Sequence, residues 1–243
     1  MVNGTASVGE GTVTGEYCVI EEGAVLGKNC RIGHHVVISA AIIGDDVRID
    51  DFACIGKLPM RAANSAATFG GAPQAARIGD GCIIGTHAVI YAGATLGADV
   101  LVADHATVRE DVLIGEKTII GRGVAVENCC RIGSLCKIET GAYITAYSDL
   151  GDGCFIAPGV VTSNDNYAGR TKARFKAFKG VSVKSGGRVG AGAVILPGRV
   201  IGIDGFAAAG SVVTHDVPDG VVVAGNPARE LKKVSEEQLL KNQ

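Results

Sequence analysis

"IGDGCIIGTHAVIYAGATLGADVLVADHATV", residues 78–108, places Ile, Leu or Val at every sixth position. The series runs Ile78, Ile84, Ile90, Leu96, Val102, Val108 and continues without a slip to Ile156. Fourteen of the fifteen hexads that start at Ile78 begin this way, and Thr162 is the exception. A period of six matches neither a helix nor a simple alternating strand. It matches short strands joined by tight corners, one corner per hexad. Gly often follows the aliphatic residue, as at Gly79, Gly85 and Gly97, and suits a corner because it tolerates positive φ. The fifth position is small or β-branched: Cys82, Ala88, Ala94, Val100, Ala106, Val112. Repeats of this kind build parallel β-helices.

The pattern extends in both directions. An N-terminal block is led by Val8, Thr14, Ile20, Leu26, Ile32 and Ile38, then slips by one residue to Ile43, Ile49 and Ile55. A C-terminal block is led by Val183, Val189, Ile195, Ile201, Ala207 and Val213. Two segments lack the rhythm. Residues 57–76 are rich in Ala, Gly, Pro and Ser. Residues 165–180 carry Arg170, Lys172, Arg174, Lys176 and Lys179 against one acid, Asp165. Loops extruded from a rigid repeat commonly carry binding functions. With Tyr167, Phe175 and Phe178 interleaved, the second reads either as a solvated insertion or as the wall of a site for a phosphate-bearing ligand.

Eight Cys invite a metal or disulfide reading. Six of them, Cys18, Cys30, Cys82, Cys130, Cys136 and Cys154, fall on the small fifth position and read as core filling. No CxxC pair supports a zinc site, and no metal is expected. The 243 residues are enough to bury a sizeable core, and a net charge of −2 gives no overall pull toward nucleic acid or membrane. No leader-like N-terminus and no apolar run of about 20 residues is present, so a soluble cytoplasmic protein is expected. The expected division is a β-helix over 1–218 and an extension over 219–243. Ser235 and Gln238 in that extension fit a capping box and predict a short C-terminal helix covering the last coil.

The chain resembles the hexapeptide-repeat acyltransferases over almost its whole length. The most specific segments are "VGAGAVILPGRVIG", "AAGSVVTHDVP" and "VAGNPAR". That resemblance implies an all-β, left-handed parallel β-helix with 18 residues per triangular coil, about ten coils here. Parallel crossovers are otherwise right-handed. It also implies acetyl-CoA as co-substrate and a homotrimer with the cofactor groove between subunits. Here Ala208-Ala209-Gly210-Ser211 replaces the usual GAGS form. "ITAYSDLGDGCFIAPGVVTSNDNY" is similar to the nucleotide-linked amino-sugar N-acetyltransferases of the dTDP-3-amino-3,6-dideoxyhexose type. The expected function is therefore acetyl transfer to the amine of a dTDP- or UDP-linked amino sugar. The alternative is an O-acetyltransferase of the serine or galactoside type. A γ-type carbonic anhydrase would need three convergent His, and a non-enzymatic ice-binding helix would need a flat Thr ladder.

At 18 residues per coil, Asn164 stacks over Ala146, Asn128 and Glu110, and Asp165 stacks over Tyr147. Asn164 and Asp165 could orient an acceptor amine, although Asn and Asp are also ordinary turn residues. His105 is the candidate general base, with a surface or interface role as the competing reading; His105 with Asn128 is the next place to look for the amine-holding group if Asn164 and Asp165 are only a turn. Asn166, Tyr167, Arg170, Lys172 and Tyr147 complete the expected acceptor site. Ala191 and Ala209 would stack on adjacent coils beside the pantetheine arm. By resemblance Thr214, His215 and Arg229 lie near the adenosine end. On this reading the rhythm stops at Thr162 because an apolar contact gives way to a polar site.

Overall fold

In a computed structural model that describes residues 4–64 and 74–243, the chain winds into a left-handed parallel β-helix. Its short strands stack into three sheets of 10, 12 and 10 strands, here called I, II and III in the order the chain enters them. Within the middle block, neighbouring strands of a sheet are 18 residues apart in register, as in Leu101↔Ile119 and Thr107↔Ala125. Three edges separate the sheets. The I–II, II–III and III–I edges are named for the sheets they join.

The hexad leaders form the core. Ile20, Ile38, Ile84, Ile90, Ile120, Ile138 and Ile144 are fully buried, stacked above one another from coil to coil. The first coil is the exception: its leaders Val8 and Thr14 are exposed, with no coil beneath them among the described residues. Six Cys are buried and two, Cys54 and Cys129, are partly exposed; all eight are free thiols. The buried thiols donate to carbonyls of the neighbouring coil, as from Cys130 Sγ to the Thr145 carbonyl at 3.1 Å. The Gly that follows the aliphatic residue is fixed by close approach. A Cβ on Gly79 would lie 2.6 Å from the carbonyl carbon of Gly97. Asp at the next position caps the coil before it. Asp45 Oδ1 accepts the Lys28 amide at 2.7 Å and Asp152 Oδ1 accepts the Ser134 amide at 2.7 Å. These bonds satisfy corner N–H groups that the sheets leave unpaired.

Both loops leave the III–I edge. The first begins after the strand Cys54–Lys57 and ends at the strand Ala76–Ile78, so Lys57 and Ala76 themselves are strand residues. Residues 65–73 of that expected loop lie outside the described residues. The second leaves after Val161–Thr162 and returns at Ser182–Val183. Its neck is closed by the Lys179 amide donating to the Asn164 carbonyl at 3.1 Å. A Cβ at Gly180 would collide with the backbone of Tyr147 and Ser148, so this return path requires glycine.

The C-terminal segment departs from the sequence reading. Parallel stacking continues past residue 218, because Val221–Ala224 pairs in parallel with Phe206–Ala207. Arg229–Lys233 then folds back antiparallel on it. Beyond it are two 3₁₀ turns, Glu236–Gln238 and Leu240–Asn242, not an α-helix. Ser235 makes no capping bond to the backbone; its hydroxyl instead faces Glu237 at 3.4 Å. These turns lie along the I–II edge beside Gly153 and Gly186, where the Leu240 amide donates to Asp204 at 2.8 Å, and do not cover the last coil. No helix among the described residues is long and apolar enough to cross a membrane.

Candidate functional site

The II–III edge carries one side chain per coil at a position with positive φ. From the N-terminal end these are Tyr17, His35, Phe52, His87 and His105, with φ between 55° and 61°. Their rings stack on consecutive coils at centroid distances of 5.0, 4.8, 5.0 and 5.2 Å. Beyond His105 the same position is glycine on every coil: Gly123, Gly141, Gly159, Gly192 and Gly210, again at positive φ. A Cβ added to any of these five would meet nothing within 4 Å. The edge therefore changes from a ring ladder to a bare groove. Five steps at ~4.8 Å give it a length of roughly 24 Å. Ala191 and Ala209 flank its far end on adjacent coils, joined by the Gly210 amide donating to the Ala191 carbonyl at 2.8 Å. On the last coil, Thr214 Oγ1 and His215 Nδ1 lie 2.9 Å apart. His215 and Arg229 line a cavity of about 450 Å³.

The III–I edge is different. Between the two loops it presents two polar columns in the 18-residue register. The inner column is Ala92, Glu110, Asn128, Ala146 and Asn164; the first four are buried. The outer column is Tyr91, Arg109, Glu127, Thr145 and Ser163, with Lys57 in register with Tyr91 at its head. Arg109 holds the columns together. Its Nε and Nη2 each donate to Glu110 at 2.8 Å, and its Nη1 donates to Glu127 at 3.2 Å. Arg109 and Lys57 both lie against the ring of Tyr91, at 5.3 and 5.7 Å from its centroid. Desolvation pushes the Tyr91 phenol up, against the opposing effect of Arg109.

The sequence-predicted residues fall into separate groups. Asn164, Asp165 and Asn128 share the III–I edge, but His105 lies on the II–III edge, so His105 and Asn128 do not form one constellation. Asn128 is 2% exposed and supports the corner from inside. Asn164 reaches the Ala146 carbonyl at 3.5 Å. The Asp165 carboxylate is committed to its own loop. It accepts the amides of Tyr167 and Gly169 at 2.9 and 3.0 Å and pairs with Arg174 at 3.0 Å. Desolvation works against its ionisation, yet these bonds hold its carboxyl below the usual range. Asn166, Tyr167, Arg170 and Lys172 are exposed on that loop, while Arg174 packs on Phe175 and Phe178. Tyr147 sits at the loop's neck. The residues the sequence reading passed over are Tyr91, Arg109 and Glu127. Their signal was the 18-residue register between the two interruptions, which aligns an aromatic, a cation and an acid on one edge.

Thr162 itself stays in the core at 3% exposed. Its hydroxyl accepts the Thr145 amide at 2.8 Å and donates to the Tyr143 carbonyl at 2.9 Å. The rhythm breaks there because a hydroxyl replaces ladder bonds as the chain leaves the coil. The polar site lies on the coils before it.

The coils and stacked corners define a hexapeptide-repeat β-helix. Residues 5–40 and 75–110 match the family model described as bacterial transferase hexapeptide (six repeats). A stretch of 48 residues is 60% identical to a 2,3,4,5-tetrahydropyridine-2,6-dicarboxylate N-acetyltransferase of Clostridium perfringens, covering 20% of each chain. The match thus spans about a fifth of that curated relative's length. PerB from Caulobacter crescentus, solved in complex with CoA and GDP-perosamine, aligns at 31% identity and TM-score 0.48 over 55% of this chain and 57% of that one. The UDP-N-acetylglucosamine acyltransferase of Francisella novicida aligns over 99% of this chain and 73% of the other, at 21% identity and TM-score 0.51, a likeness of fold.

Proposed function

We propose that this chain is an N-acetyltransferase that moves the acetyl group of acetyl-CoA to the amine of a nucleotide-linked amino sugar. The observation that carries the reading is the pair of edges flanking sheet III. One is a bare groove that ends on the ring of His105; the other is a polar edge framed by two loops. Repeats of the transferase type support acyl transfer, and the C. perfringens relative is named as an N-acetyltransferase. The open rungs from Gly123 to Gly210 accommodate an extended, narrow group such as a pantetheine arm. Ala191 and Ala209 would lie alongside it, with Thr214, His215 and Arg229 toward the adenosine phosphates. Exposed Arg170 and Lys172 suit the acceptor's diphosphate.

The reaction is attack of a neutral amine on a thioester carbonyl. The C–N bond forms, the C–S bond breaks, the thiolate departs and the amine loses a proton. Holding the two substrates in line supplies much of the acceleration. His105 stands where the groove begins and is the group placed to take the proton. Because the two edges belong to opposite sides of one sheet, a complete site needs the groove of one subunit against the polar edge of another. Sheet III suits such a contact. Its outward strand positions, among them Val37, Val89, Ala125, Tyr143, Val161 and Val194, are uncharged apart from Lys57 at the end of its strand, whereas sheets I and II present Arg131, Asp149, Arg31 and Lys137. A homotrimer is the expected assembly.

The test is thiol release from acetyl-CoA with dTDP- and UDP-linked amino sugars, their hydroxyl counterparts, and small amino dicarboxylates as acceptors. Turnover of the amino-sugar nucleotides alone supports the proposal. Turnover of hydroxyl acceptors alone would make the chain an O-acetyltransferase. Preference for a dicarboxylate would align it with the C. perfringens relative.

A further inference from the structure

The acceptor reading leaves open which group meets the amine, since the Asp165 carboxylate is occupied by its loop. Four acidic side chains lie on the III–I edge between the loop necks. Asp165 is spoken for. Glu110 is buried, its side chain 8% exposed, and both of its oxygens face Arg109. Asp111 sits at the corner itself, with positive φ. Glu127 differs from all three. Its side chain is 26% exposed, it is oriented by a single 3.2 Å bond from Arg109 to Oε2, and its Oε1 has no hydrogen-bond partner among the described residues.

The charge balance favours a cation beside it. Arg109 carries one positive charge shared between two carboxylates, so the cluster retains one negative charge, and the carboxylate that reaches solvent is Glu127. Tyr143 lies one coil beyond on the sheet III face assigned to the subunit contact, in register with Ala125 on one side and Val161 on the other. Desolvation and then the Glu127 charge push the Tyr143 phenol up, in keeping with a negative potential at this spot. Glu127 lies two coils before Ser163, where the basic loop departs. At ~4.8 Å per coil that is roughly 10 Å along the edge, room for a sugar between the carboxylate and the loop.

Building on the acceptor assignment above, we propose that Glu127, oriented by Arg109, receives the acceptor amine through Oε1 and so distinguishes amino sugars from their hydroxyl counterparts. The role is recognition: a carboxylate that accepts N–H bonds from an amine gives a charge-assisted contact that a hydroxyl does not match.

The test is calorimetric binding to the intact protein at neutral pH, using dTDP-3-amino-3,6-dideoxygalactose and its 3-hydroxyl counterpart. Wild type is expected to bind the amino compound about tenfold or more tightly than the hydroxyl one. Glu127→Gln should remove that preference while leaving acetyl-CoA affinity and thermal unfolding unchanged, and Glu127→Asp should retain part of it. Equal binding of both by wild type, or a preference kept by Glu127→Gln, overturns the inference. Acetyl transfer is followed separately. An amine preference that depends on Glu127, without thiol release, would sink the acetyltransferase reading and leave the amine site standing.

Discussion

The hydroxyl of Thr162 accepts the amide N–H of Thr145, one coil earlier, at 2.8 Å, and donates to the Tyr143 carbonyl at 2.9 Å. In the preceding coil the equivalent amide, that of Glu127, bonds to a backbone carbonyl, that of Ile144. A side chain has thus taken the place of a ladder bond where the chain swings out into the basic loop.

Thr162→Val keeps the shape and removes both bonds. It leaves the Thr145 amide buried without an acceptor, a loss of about 1–3 kcal/mol. A lowered denaturation midpoint is expected, with faster hydrogen exchange centred on Thr145. A midpoint equal to wild type would show that the backbone relaxes to restore the ladder.

Asp165 organises the loop through two amides and Arg174. Its folded pKa is depressed, so its contribution is present above the unfolded value of about 3.9 and is lost as pH falls through the folded value. Asp165→Asn should expose Arg170 and Lys172 to trypsin at neutral pH, where wild type resists cleavage. In hydrogen exchange the two proteins should converge only well below pH 4. Equal cleavage rates at neutral pH would mean that the loop is ordered by other contacts.

Arg170 and Lys172 are exposed and Arg174 is internal to the loop, so neutralising them should have different consequences. Replacing Arg170 and Lys172 by Gln is expected to raise the acceptor KM several-fold, with the acetyl-CoA KM unchanged and the loop still protected from proteases. Arg174→Gln should loosen the loop and lower kcat as well. If the double variant alters neither KM, the phosphates are bound elsewhere.

The thiols were the easiest residues to place. Burial pushes Cys130 up to about 12 and Cys82 up to about 11, so neither forms a thiolate near neutrality. Alkylation of the native protein at pH 8 should modify Cys54 and Cys129 first. The other six should follow only on unfolding, as counted by mass spectrometry. Rapid labelling of Cys136 or Cys154 in the folded protein would contradict the core assignment.

The repeat was legible because a six-residue period leaves no other regular structure to choose. The register that stacks His87 on His105, and Asn164 above Ala146, follows from it directly. What the period does not encode is the direction in which each corner faces. His105 and Asn128 were both candidates for the catalytic centre, yet they occupy different edges, because the 23-residue step from one to the other is not a whole number of 18-residue coils. Asp165 looked free because its partners, the amides of Tyr167 and Gly169, are supplied by loop geometry. Glu127 was passed over because its importance depends on Arg109, an equally ordinary residue one coil away. The capping box at Ser235 failed for a related reason: Leu240 and Asp204 hold that segment against the prism as 3₁₀ turns.

The ring ladder provides a test of the groove itself. Gly123 has φ of 64°, close to the 59° of His105 and the 60° of Tyr17. Its backbone already has the conformation in which this edge carries rings, and nothing lies within 4 Å of the missing Cβ. Gly123→His should therefore fold and add a sixth ring next to His105. The cost of a non-glycine residue at positive φ, about 1–2 kcal/mol, would be offset in part by a stacking gain of about 0.5–1.5 kcal/mol. Thermal unfolding should change by only a few degrees. The added ring would occupy the first rung of the space assigned to the pantetheine arm. The acetyl-CoA KM is expected to rise about tenfold or more, with the affinity for the amino-sugar nucleotide unchanged. An unaltered acetyl-CoA KM in a well-folded variant would remove the donor from this edge, and with it the case for His105 as the base.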